Sequence, residues 1–280
     1  MTRQDQPEDQ PETTRSHENT IEIDAPPHDV WRALSEGEEL ARWFAVQAEV
    51  APGEGGSWKV SWDESPVQTY ALIAAWEPLR RLRLVHDPST GSVPSRLAEE
   101  FEIEALEGGR CRLRIVASGF STDAAWDGEF EGTKTGWAVF LRNLRFYLER
   151  QRGKPSASAG VPWRSTLPRA QAFAGVFGRG GVLDCEGQPR VEGGTLSLRA
   201  HWGETIEATI DMARGDAMLG LVIGDMLLRA EFVELRSGPF IHVMLLAWGD
   251  ARERMADLHA KIAAALAEVL PQPPTLSSDA

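Results

Sequence analysis

Six short segments between residues 46 and 118 narrow the choice of fold more than any other part of this sequence. They read VQAEV, SWKVSW, QTYALIAAW, RLRLVH, LAEEFEIEAL and CRLRIVAS, and the turns between them include GEGG, DES, EP, DPSTGSVPS and EGG. Alternating apolar and polar side chains broken by Gly, Pro, Asp and Ser are the pattern of an antiparallel meander. The two-residue period also assigns faces. The inward sets are Leu82, Leu84 and His86; Leu97, Glu99, Phe101, Ile103 and Ala105; and Cys111, Leu113, Ile115 and Ala117. Two of these positions are polar, His86 and Glu99. Because Asp87 to Arg96 connects their strands, antiparallel pairing makes them neighbours at one end of a hairpin.

Helical patterns flank the meander. TIEIDA is a strand carrying Ile21 and Ile23 on one face, and Pro26 and Pro27 suit the entrance of a helix. The following VWRALSEGEELARWF predicts two short helices broken near Gly37. After the meander, WAVFLRNLRFYLER puts Trp137, Leu141, Leu144 and Leu148 on one helical face, with the helix ending near Arg150. Just before it, GEFEGTKTG spaces Gly128, Gly132 and Gly136 four residues apart. A glycine inside a helix costs about 1 kcal/mol relative to alanine. Gly128 and Gly132 are therefore expected in an approach loop, with Thr133 or Thr135 as the cap and regular helix from near Gly136. Asp123, Asp127, Glu129 and Glu131 read as a solvated face or as charges favourable at a helix N-terminus.

A chain of 280 residues is long enough for two cores, and two domains are expected. Residues 1–18 are polar and Pro-rich and are expected to be disordered, as are 271–280. Residues 153–162, within RQRGKPSASAG, read as a linker between a first domain at 19–152 and a second α+β domain at 163–270. The second domain predicts a helix in STLPRAQAFAGVF, five strands from TLSLRAHW to PFIHVMLLAW, and a last helix with Met255, Leu258, Ile262, Leu266 and Val269 at helical spacing. That order suggests a degenerate copy of the first domain lacking its first strand.

VWRALSEGEELARWF, GEGGSW, ALIAAWEPLRRLRLVH, SGF and GWAVFLRNLRFYLE together resemble the START-like (SRPBCC) superfamily over about residues 18–152. Within it they look like proteins similar to the C-terminal domain of activators of the heat-shock-90 chaperone ATPase. Trp43 with Phe44, the Gly-Gly before a strand, and Gly136 with Trp137 opening the last helix carry most of the likeness. The resemblance implies an α+β helix-grip fold, in which a curved antiparallel sheet packs around a long C-terminal helix. It also implies a cavity between sheet and helix suited to an apolar small molecule. No counterpart of the activators' N-terminal domain is recognisable, which separates the fold from any activating role.

Chemistry is sparse. A formal charge of −13 argues against nucleic acid and anionic membrane surfaces as partners. No apolar run is long enough for a membrane span, so a soluble, cytoplasmic protein is expected. Cys111 and Cys185 read as reduced core thiols. Histidines at 17, 28, 86, 201, 242 and 259 show no metal-ligand spacing, and no nucleophile elbow or phosphate loop occurs. No metal or cofactor is expected. Trp58, Val60 and Trp62 share one strand face, as do Tyr70, Leu72 and Trp76; these aromatics either line a cavity or fill a core. The leading expectation is a domain binding an apolar or aromatic molecule through Trp58, Trp62, Tyr70, Trp76, His86, Glu99, Phe101, Phe120, Trp137 and Leu141. In it, His86 and Glu99 anchor a polar end or supply a general base. Against that stands a solvated His86 at a strand end and an arginine partner for Glu99. The alternatives are a regulator docking on a chaperone, or an enzyme of the aromatase or cyclase type using His86 and Glu99.

Overall fold

Every segment of the predicted meander is a strand. The structure, a computed structural model, describes residues 14–62, 68–86, 97–235 and 238–271. The expected tails before residue 14 and after 271, the DES turn and the connection 87–96 lie outside the described residues. The chain divides after Glu149 into two units.

In the first unit, β1 (Thr14–Ile23) leads into α1 (Pro27–Ser35) and α2 (Gly37–Leu40). Then come β2 (Gln47–Ala51), β3 (Ser57–Ser61), β4 (Gln68–Glu77), β5 (Arg81–His86), β6 (Ala98–Ala105), β7 (Cys111–Ser121) and α3 (Asp127–Phe146). The sheet is antiparallel throughout, in the order β1-β7-β6-β5-β4-β3-β2. Its outer face carries cross-strand ion pairs. Arg114 bridges Glu18 and Glu102 at 2.6 and 2.7 Å, and Arg112 bridges Glu22 and Glu104 at 2.9 and 2.8 Å. Being exposed, each contributes at most about 1 kcal/mol; they mark which face is wet. Leu82, Leu84, Phe101, Ile103, Leu113 and Ile115 fill the inner face as expected, while Ala105, at the end of β6, is exposed.

Helix α3 corrects one expectation. Gly128 and Gly132 lie inside it rather than in an approach loop, and neither threonine caps it. Contacts with β1 explain how a glycine-rich stretch stays helical. Arg15 pairs with Asp127 at 2.6 Å, and the Asn19 amide donates to the Lys134 carbonyl at 3.2 Å. Asp127 and Glu129 also sit where the helix dipole favours negative charge. The buried face from Trp137 to Leu148 is as read from the spacing. A Cβ on Gly132 would meet nothing within 4 Å, so close packing does not require the glycine. Gly132→Ala should therefore stabilise the first unit by about 1 kcal/mol. Urea denaturation checks this, and an unchanged midpoint would count against a fully formed helix at this turn.

The second unit contains β8 (Ser156–Arg164), α4 (Arg169–Phe177), β9 (Leu183–Asp184), β10 (Thr195–Ala200), β11 (Thr205–Arg214), β12 (Met218–Ile223), β13 (Met226–Leu235), β14 (Gly238–Trp248) and α5 (Ala251–Val269). Its order, β8-β14-β13-β12-β11-β10-β9, repeats that of the first unit strand for strand. Two expectations change here. The stretch 153–162 is not a linker, because most of it forms β8, and the second copy therefore keeps its first strand. Likewise β1 begins at Thr14, inside the stretch expected to be disordered. The strand signal of β8 is weak because its inward residues include Ala157 and Ala159, small enough for α5 to approach; His259 on α5 meets the Gly160 carbonyl at 3.2 Å.

Candidate functional site

Two polar residues face inward where β5 and β6 pair. Leu84 lies opposite Glu99, and the His86 amide donates to the Leu97 carbonyl at 2.9 Å, so His86 is the diagonal neighbour of Glu99. Their side chains meet, His86 Nε2 to Glu99 Oε2 at 2.9 Å, and both are buried, at 5% and 7% exposure. The other oxygen, Oε1, accepts the Trp137 indole N–H at 2.6 Å. Glu99 thus takes one donor on each oxygen, and its partners are an imidazole and an indole rather than an arginine. An indole N–H only donates, so it fixes the carboxylate's orientation. With the carboxylate accepting from Nε2, a neutral His86 presents Nδ1 as an acceptor. That atom is buried without a partner.

Aromatic rings surround this chain. Phe101 meets Trp137 edge to face, with centroids 5.3 Å apart, and Phe44 stacks on Trp137 at the same separation. Phe140 lies 4.5 Å from Phe44, and Trp62 lies 5.2 Å from it. The Trp62 N–H reaches the Phe44 carbonyl at 2.8 Å and the Trp58 N–H the Leu34 carbonyl at 3.3 Å, so both indoles also tie the sheet to the α1–α2 segment. Leu141 is buried one turn beyond Trp137.

Three expected site residues sit apart from this group. Tyr70 pairs with Lys59 on the outer face, and Leu72 is 45% exposed. They do not share a face with Trp76, because an irregularity between Ile73 and Ala75 adds one residue and inverts the alternation. Trp76 therefore points inward, but opposite Leu82 and against Trp31 at 5.0 Å, four residues along β5 from the position of His86. Phe120 is inward because Gly119, at φ +96, forms a bulge opposite the Arg15–Ser16 step. It packs against His17 and Phe130, with centroids 5.4 Å from each.

Sequence reasoning left His17 in a disordered tail, and it placed the wall residues Phe44 and Phe140 in helices without counting them in the site. His17 lies on β1 opposite Ala117, which is itself opposite Glu99. At 7% exposure, neither ring nitrogen has a partner. Burial holds its pKa below the usual imidazole value, opposed by the charge of Glu99.

The corresponding core of the second unit carries no such group. Its apolar cluster runs from Val161 and Trp163 through Leu228 and Phe232 to Ile262 and Leu266, and the charged side chains buried in that unit include Asp184 and Arg229, with no buried histidine–carboxylate pair among the described residues. Cys111 and Cys185 are free and buried, and burial pushes the Cys111 thiol up to about 11, so it is inert at neutral pH. No group of three His, Cys, Asp or Glu side chains is arranged for a metal among the described residues. No helix among them is long and apolar enough to cross a membrane. A shallow open groove along β2 and β3, lined by Gln47, Glu49, Lys59 and Ser61, shares none of the inner-face site residues.

A seven-stranded antiparallel sheet with a long helix after its last strand is the helix-grip architecture of START-like domains. Residues 24–149, within the first unit, match the family described as Activator of Hsp90 ATPase homolog 1-like protein. No curated protein matches the sequence. Among solved structures, a Mesorhizobium loti protein is similar at 24% identity and TM-score 0.43, over 49% of this chain and 99% of its own. The Aha1 dimer from Colwellia psychrerythraea is similar at 21% identity and TM-score 0.43, over 50% and 99%. The di-domain ARO/CYC protein BexL from the BE-7585A biosynthetic pathway is similar at 15% identity and TM-score 0.43, over 92% and 100%.

Proposed function

We propose that the first unit binds an apolar or aromatic small molecule between the inner face of its sheet and α3, with the polar end of the ligand at His86 and Glu99. One observation carries this reading: a buried imidazole, oriented by a carboxylate, keeps an acceptor without a partner inside a wall of aromatic rings. Burying such groups costs stability unless they are satisfied, and a ligand's donor satisfies this one. Native mass spectrometry of the full chain, purified without detergent, should show a stoichiometric adduct that organic extraction removes. Naphthol should quench tryptophan fluorescence and raise the Tm of the extracted protein. A clean apo mass together with no response to naphthol would overturn the reading.

A second reading is an enzyme of the aromatase or cyclase type, favoured by the same unpartnered Nδ1, which a general base requires. Once a ligand is identified, its turnover surviving in the His86→Gln, Glu99→Gln double variant would exclude this. The family match favours a third, docking on a chaperone. A chaperone ATPase rate unmoved by the purified full chain would count against it.

A further inference from the structure

We infer that His17 is a second polar anchor in the first unit, so that the site accepts a neutral molecule with a hydroxyl at each end and rejects carboxylates. The inference rests on the binding reading above. Three buried ring nitrogens lack partners, both on His17 and Nδ1 on His86, and the two residues face the same side of one sheet. Between them the strands run β1, β7, β6, β5. The position separating His17 from Glu99 is Ala117, the smallest side chain of the strip, with Leu97, Phe120 and Phe130 packed around it, so a ligand here displaces apolar side chains rather than backbone. Two strand spacings separate His17 from Glu99, about 10 Å between Cα atoms. The nitrogens thus mark two ends of one strip rather than a single point.

The chemistry of each end selects the ligand. In the neutral ring His86 Nδ1 accepts, because Nε2 donates to Glu99. A ligand must donate there, as a hydroxyl does and a carbonyl or carboxylate does not. At the other end His17 is held neutral by its burial between Phe120 and Phe130, so it offers one donor and one acceptor, and a hydroxyl satisfies either. An anion meets a field in which the Lys134 charge near His17 is opposed by Glu99 and Glu131. Glu99 is itself acidic, and Arg15, on the same face of β1, is held by Asp127 at 2.6 Å. Burying a second unpaired charge beside Glu99 is strongly unfavourable.

The test compares the dihydroxynaphthalene isomer with hydroxyls at opposite ends against naphthol, naphthoate and naphthalene, by tryptophan quenching of the full chain. The diol should bind about tenfold more tightly than naphthol, the worth of one added hydrogen bond, and naphthoate most weakly of the substituted compounds. His17→Phe keeps an aromatic ring against Phe120 and Phe130 and removes two unsatisfied nitrogens. Its Tm should hold or rise, while the diol loses its advantage over naphthol. A diol that binds the variant as tightly as the original, or naphthoate that binds as tightly as the diol, overturns the inference and leaves the binding reading standing. If none of the four compounds binds, the binding reading fails and the inference with it.

Discussion

Glu99→Ala should destabilise the first unit by about 4 kcal/mol, because it strands two buried donors at once. The Trp137 N–H and the His86 Nε2 position both lose their acceptor, and each unsatisfied buried group costs about 1–3 kcal/mol. Glu99→Gln separates this effect from packing. Its amide oxygen still accepts from Trp137, and its NH2 group donates to His86 once the imidazole changes tautomer. The glutamine variant should therefore stay within about 1.5 kcal/mol of the original. Urea denaturation followed by tryptophan fluorescence measures both. If alanine costs no more than glutamine, the carboxylate is not what positions Trp137 and His86, and the site as described is wrong.

The His86–Glu99 pair was legible in the sequence because β5 and β6 alternate cleanly and each puts one polar residue among apolar inward positions. Period two places such a residue in the core whatever its chemistry. Trp137 as the second donor was not legible, since its rotation on α3 was readable but not which atom its N–H would reach. His17 was hidden for a different reason. The inward positions of β1 run Arg15, His17, Asn19, Ile21 and Ile23, and only the last two are apolar. The first three are satisfied by or packed against the glycine-rich half of α3, which buries no side chain fully between Asp127 and Gly136. Neither segment shows an apolar period alone, so β1 was started too late and α3 as well. Trp76 and Tyr70 were misassigned through one extra residue in β4, which no alternation rule anticipates. The second unit's strand order was readable from Thr195 onward, and its first strand was missed because alanines supply the inward positions there.

Asp211→Ala should destabilise the second unit by about 3–5 kcal/mol, the usual consequence of removing one member of a buried ion pair. Arg229, 1% exposed on β13, meets Asp211 at 2.7 Å. Two local features make room for that pair. A register irregularity between Ile210 and Met212 sets Asp211 out of the regular ladder, and Gly220, directly opposite Arg229, leaves space for the guanidinium. A Cβ on Gly220 would lie 2.7 Å from Arg229 Nη1. Glu231, two residues along β13, has its carboxyl pushed up by burial and held back partly by Arg229. The side chains here therefore act as a unit, and a double-mutant cycle resolves them. Replacing both partners, as in Asp211→Ala with Arg229→Met, should recover most of the loss, since an apolar pair of similar volume is often neutral or stabilising. With Met at 229 the long guanidinium no longer opposes a methyl at 220, so Gly220→Ala should cost less in that background than in the original. Additive losses across the cycle would show that Arg229 and Asp211 do not depend on each other, and that Gly220 is retained for the turn of the sheet rather than for the arginine.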